Sequence, residues 1–197
     1  MKPRTRLLIL CLTTPILLGG CWLVRNSRAG VEQAPYQTVL KDGSFELRDY
    51  PALSLATTPM NAESMNGGFG RLFRFITGAN ERQEEIAMTT PVLIETGPAS
   101  RTMSFVMPEK TRSQGVPTPT SQEVQLRQLP AERRAVLRFP GGTRRENEIQ
   151  ASEQLRIWIT QRGLRPQSSP IFAYYDPPWT PIPMRRNEVM IRVETQP

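Results

Sequence analysis

The sequence predicts an α+β fold, a duplicated β-β-α-β-β unit forming a curved antiparallel sheet or distorted barrel with two helices. Three observations carry this expectation. Leu47-Arg48-Asp49-Tyr50-Pro51-Ala52 is echoed by Leu126-Arg127-Gln128-Leu129-Pro130-Ala131, and each copy precedes a strand pattern, a helix pattern and two further strand patterns. Two segments carry apolar residues at helical spacing on one face, so each must pack on something flat. The remaining apolar runs are short and end at Gly, Pro or Asp-Gly, as strands do. Two such units predict a pseudo-twofold axis with a groove between the halves.

The first twenty residues read as an address rather than as part of the fold. Lys2, Arg4 and Arg6 precede the apolar run Leu7 to Leu18, and Gly19-Gly20 lead to Cys21. The run is too short to cross a hydrocarbon layer about 30 Å thick. Leu18-Gly19-Gly20-Cys21 resembles the bacterial lipobox, in which small residues let a peptidase approach the backbone. That resemblance implies a signal peptide over residues 1–20, a lipid on Cys21 and a tether over 21–34. The domain proper is then 35–197, held by lipid at the extracytoplasmic side of a bacterial cell envelope.

Tyr36–Leu40 and Phe45–Tyr50 flank Asp42-Gly43, a hairpin signal because Asp-Gly accepts the positive φ of a tight turn. Ala52–Met60 is a third strand. In Asn66–Thr77 the period changes: Phe69, Leu72, Phe73 and Ile76 share one helical face, and Gly78 stops the helix. Glu85–Ile94 and Arg101–Met107 are strands, and Pro108–Gln122, rich in Pro, Thr and Ser, is a linker between halves. Val124–Leu129 and Arg133–Phe139 read as a strand pair turning at Pro130-Ala131. Thr143 to Glu146 has the form of a capping box, opening a helix whose stripe is Ala151, Leu155, Trp158 and Ile159. Pro170–Tyr175 and Asn187–Glu194 complete the strands around a Pro-rich loop bearing Trp179.

Composition removes several function classes. With no His in 197 residues there is no Ser-His-Asp triad, no His-based zinc site and no imidazole-ligated haem. The two Cys, Cys11 and Cys21, sit in or beside the leader and form no metal knuckle. The excess of 25 Lys+Arg over 18 Asp+Glu lies partly in that leader, and no nucleic-acid-binding pattern accompanies it. Nucleic acid is therefore not an expected partner, and a protein partner is unknown.

From Tyr36 to Glu194 the chain resembles the SOUL haem-binding protein family. The carrying segments are FGRLFRFITGAN from Phe69, EIAMTTPV from Glu85, MSFVMP from Met103 and PPWTPIPMRRNEVMIRVE from Pro177. The resemblance implies non-catalytic, non-covalent binding of haem or another porphyrin on this two-repeat fold. Some members are thought to use His as a ligand, which this chain lacks. The family's other mode lays the macrocycle against the first helix, and on the matching positions it implies Phe69, Leu72 and Phe73 as haem-facing residues. A porphyrin is an apolar plate with two carboxylates at one edge, so Arg forks suit it. Arg185 and Arg186 are the first candidates for those carboxylates, Arg71 and Arg74 the second. Met60 or Met65 is a further candidate, for the iron. The same helical stripe is also what any helix packed on a sheet buries, so core and ligand surface both remain open readings. The alternative function is a lipoprotein interaction module for a protein or another apolar small molecule.

Overall fold

The computed structural model describes residues 30–60, 65–97 and 100–195, with the side chains of Met65 and Thr195 outside that description. The leader, Cys21 and most of the tether lie outside the described residues. The strands are β1 (Glu32–Gln33), β2 (Gln37–Asp42), β3 (Phe45–Tyr50), β4 (Leu53–Met60), β5 (Thr89–Thr90) and β6 (Val92–Thr96). They continue as β7 (Arg101–Val106), β8 (Gln125–Leu129), β9 (Glu132–Phe139), β10 (Leu164–Pro166), β11 (Ile171–Tyr174) and β12 (Asn187–Thr195). The helices are α1 (Met65–Ile76), the short α2 (Glu109–Ser113) and α3 (Arg145–Gln161). Among the described residues no helix is long and apolar enough to cross a membrane.

The main sheet is antiparallel and runs β2-β3-β9-β12-β11-β6-β7-β4-β8, with β10 on the side of β12. Apart from β2, which has no counterpart beyond β8, this order is symmetric about the β11–β6 pair. Each half contributes three adjacent strands and lends its first strand to the other half: β3 pairs with β9, and β8 with β4. The sequence reading of β8 and β9 as a hairpin is thus corrected. Pro130 and Ala131 do not turn the chain between neighbours but carry it from one end of the sheet to the other.

That connection forces the sheet to curl. β3 and β4 stand second and eighth along the path, yet only Pro51 and Ala52 join them. A flat sheet with strands about 4.8 Å apart would separate the two by about 29 Å, whereas such a link spans about 10 Å. Tyr50, Leu53, Leu93, Leu129 and Met190, drawn from both ends and the middle of the path, accordingly gather around one small pocket on the concave face. Among the described residues no pairing joins the two ends, so the result is a curled sheet and not a closed barrel.

Strand alternation divides the core. Tyr50, Leu55, Leu93, Val136, Ile171 and Met190 fill the concave side. Ala56, Ile94, Phe105, Leu137, Phe172 and Ile191 face outward and meet Leu72, Phe75 and Ile76 of α1 and Leu155, Trp158 and Ile159 of α3. Both long helices therefore cover the convex side, α1 over β4 and β7, α3 over β9, β10 and β12.

Local details depart from the sequence reading in instructive ways. The Asp42-Gly43 hairpin is present, with Gly43 at φ +59°. Glu32–Gln33, expected in the tether, pair in parallel with Thr89–Thr90, and buried Ala34 donates its N–H to Thr90 O at 2.8 Å, so the fold begins before residue 35. The expected strand from Glu85 yields only β5 and β6, on either side of Pro91. The expected linker is not free: Glu81 N–H bonds Thr118 O at 2.9 Å and Thr120 N–H bonds Ala79 O at 3.2 Å. The capping box does not form, because α3 starts one residue later, with Arg144 at the N-cap and no side-chain cap.

Candidate functional site

The sequence of α1 leaves two aromatic rings outside the core. Gly68 faces the sheet, where a Cβ would meet Met60 Cγ at 3.5 Å and Met103 Cβ at 3.6 Å, ordinary contact distances. With the inward face set by Gly68, Leu72, Phe75 and Ile76, helical geometry turns Phe69 and Phe73 onto one flank. They are 38% and 47% exposed. Their rings stack at 5.9 Å between centroids, and Phe69 meets Phe105 edge-on at 5.3 Å. The other flank points away. Arg71 Nε donates to Thr58 Oγ1 at 2.8 Å, Nη2 donates to Pro59 O, and Nη1 lies 3.7 Å from Glu123. Arg71 leans toward β4 and the start of β8, whereas Phe69 leans on β7, so the aromatic pair occupies the opposite flank of the helix.

The helix end is clamped. Gly78 takes φ +112°, which only glycine adopts readily. Buried Asn80 donates through Nδ2 to Phe75 O at 3.1 Å and Glu84 O at 2.8 Å, and its Oδ1 accepts from the N–H of Arg82 and Glu84. Arg74 is exposed, its Nη1 3.8 Å from the position of a Cβ on Gly70, and it borders a hollow with Arg71, Pro119, Thr120 and Val124, on the flank away from the aromatic pair.

Across the valley, Glu148 of α3 is buried. It accepts from Arg101 Nη2 at 2.8 and 3.0 Å and from Tyr174 Oη at 2.7 Å. Burial, with Glu148 beside it, pushes the Tyr174 hydroxyl far above its ordinary range, so it stays protonated and donates. Sequence reading missed this trio because Arg101, Glu148 and Tyr174 come from three distant elements with no local spacing to mark them.

The sequence-predicted residues separate. Phe69 and Phe73 stay together on the exposed ridge. Leu72 is 0% exposed and belongs to the core beneath them, so it presents no surface to a ligand. Arg185 and Arg186 are not beside the helix. Arg185 is pinned to its own loop, with Nε donating to Thr180 O at 2.8 Å and Nη2 to Pro178 O at 2.5 Å. Arg186 lies on the concave side, its Nε 2.9 Å from Glu188 Oε1 and its guanidinium 3.8 Å over the Tyr175 ring. There it joins Arg48, whose Nη1 and Nη2 donate to Glu188 at 2.7 and 3.1 Å. The sheet lies between Arg186 and α1, and Arg185 is held by its own loop, so the structure does not bring either of them together with Phe69 and Phe73. Trp179, on the Pro-rich loop, is 82% exposed.

Among the described residues no cluster of Cys, Asp or Glu has the form of a metal site. Met60 packs against Gly68 under the helix and is half-buried.

The family profile for the SOUL heme-binding protein matches residues 31–192. No curated relative matches by sequence. Among solved structures, the EcmrR C-terminal domain is similar at TM-score 0.59 and 13% identity, covering 82% of this chain and 99% of that one. A hydrolase from Listeria innocua is similar at TM-score 0.56 and 8% identity, covering 79% and 94%. At such identities these likenesses show a shared fold alone.

Proposed function

Since the chain belongs to the SOUL haem-binding protein family, we propose that it binds haem or a related tetrapyrrole on the convex ridge of α1, without His ligation and without catalysis. The observation that carries this reading is the stacked pair Phe69 and Phe73, left exposed on a helix whose core positions are already filled. The haem-binding family supplies the ligand class, and the residues suit it. Two near-parallel rings, each still about half exposed, offer a surface to a flat macrocycle, each contributing about 0.7–1.5 kcal/mol when covered. Arg74, exposed on the same helix, is the fork for a propionate that reaches over the helix toward the flank of Arg71. Haem, when bound, would supply the iron and its redox chemistry; the residues' task is to hold the plate and its carboxylates. We further propose that Cys21 carries a lipid and holds the domain at the cell envelope, which mass spectrometry of the native protein tests directly.

The binding reading is tested by titrating hemin into the full chain while following the Soret band. A saturable one-to-one shift is expected, weakened about tenfold or more by Phe73→Asp, in line with the loss of one covered aromatic. Because both phenylalanines are already exposed, Phe69→Asp and Phe73→Asp should unfold within about 1 kcal/mol of the parent. A shift that never saturates, or that both variants leave unchanged, overturns the site. The interaction-module reading draws on exposed Trp179 and Ile182 and would then take its place.

A further inference from the structure

On the concave face, beside the β6–β7 turn, a cleft of about 470 Å³ opens, which falls in the volume range of small-molecule sites. Glu95, Arg127, Arg134, Ser169, Ile171 and Arg192 line it. Its strand residues share the face of Leu93, Val136 and Met190, so the sheet separates the cleft from α1. Arg134 is the unusual member. It is 3% exposed, its Nη2 donates to Glu132, and its Nη1 is closed to solvent with no partner among the described residues. Arg127 pairs with Glu95, and Arg192 lies 3.8 Å from Glu132. Three guanidiniums therefore share two carboxylates. Arg134 and Leu129 also border the apolar pocket of Tyr50, Leu53 and Met190.

We propose that this cleft binds a small organic carboxylate, its anionic head against Arg134 and its apolar body over Leu129 and Ile171. A buried N–H without an acceptor is a standing cost that an incoming carboxylate removes. A guanidinium fork meets both carboxylate oxygens at once. The surplus positive charge disfavours cations, and the apolar floor favours a ligand with a hydrocarbon body over a bare inorganic anion. The inference is independent of haem binding, which uses the other side of the sheet.

The test is calorimetric titration of the full chain with sodium benzoate, with benzylammonium as the same body of opposite charge and inorganic phosphate as an anion without a body. Two variants accompany it: Arg134→Met, which removes the fork, and Ser169→Trp, which fills the cleft from its exposed wall and leaves the core untouched. Saturable one-to-one benzoate binding is expected, at least tenfold tighter than phosphate, with none for benzylammonium, and at least tenfold weaker in either variant. If Arg134→Met fails to fold by circular dichroism, Ser169→Trp decides. Absence of saturable benzoate binding, phosphate binding as tight as benzoate, or undiminished benzoate binding by Ser169→Trp overturns the proposal. Hemin binding should be the same in Ser169→Trp as in the parent; its loss there would merge the two sites and overturn the cleft as a separate one.

Discussion

Glu188 is fully buried between two arginines, and what it contributes depends on pH. Burial pushes its carboxyl upward, but the hydrogen bonds and charges of Arg48 and Arg186 outweigh that and hold it below its ordinary value of 4.5. A carboxyl depressed in the folded state stabilises the fold fully above its unfolded value, and that stabilisation drains away as pH falls through the folded value. The melting temperature should therefore drop on acidification below about pH 4.5, and the drop should be shallower in Glu188→Gln. At neutral pH Glu188→Gln should cost about 3–5 kcal/mol by denaturant titration, because it leaves Arg186 without a carboxylate and Arg48 with Glu46 alone. Leu72→Ala should cost about 2–5 kcal/mol, as expected for a core residue and not for a ligand contact. Gly68→Ala should go the other way: its Cβ meets Met60 and Met103 at ordinary contact distance, and helix propensity gains up to about 1 kcal/mol.

At the scale of elements, α1 depends on Asn80 as much as on its own turns. Asn80→Ala removes the clasp between the helix end and the following loop, at a cost of about 2 kcal/mol. Amide hydrogen exchange should show lost protection around residues 76–86, while β9 and β12 keep theirs. This element also shows where sequence reading reaches and stops. The helix, its glycine stop and the Asp42-Gly43 hairpin were legible because each is local. The division of the apolar stripe was not. Phe69 and Phe73 lie at helical spacing from Leu72 and Ile76, and only the placement of Gly68 and Phe75 against the sheet turns the first pair outward. The β8–β9 connection was misread because Pro130-Ala131 looks locally like a hairpin turn, while the partner of each strand is set by distant residues. Arg185 and Arg186 adjoin the family-like segment in sequence, but which face of a strand they serve follows from register alone. Much of that segment proves to be structural: Asn187 Nδ2 donates to Gly141 O at 2.7 Å, and Glu188 anchors the buried cluster.

For the whole molecule, the exchange of first strands makes the halves inseparable. β3 has only β2 on its other edge, and β8 has only β4. Residues 31–122 expressed alone should give poorly dispersed amide resonances, and mixing them with 123–197 should restore a native-like spectrum. A well-dispersed spectrum from either half alone would show that the exchange is dispensable.

The same exchange sets an order of events as the chain emerges, from the ribosome or from the channel that would export it. The chain is made from its N-terminus, so Phe45–Tyr50 emerges long before Glu132–Phe139, the strand it must lie against. Through that interval the Asp42-Gly43 hairpin has a bare edge, and Leu47 and Tyr50 have nothing to cover them. Such an edge invites pairing between nascent neighbours. Slow translation between the two halves therefore lengthens the period of exposure, and a chaperone that holds unpaired strands should raise the yield of folded protein more than one acting on the finished chain.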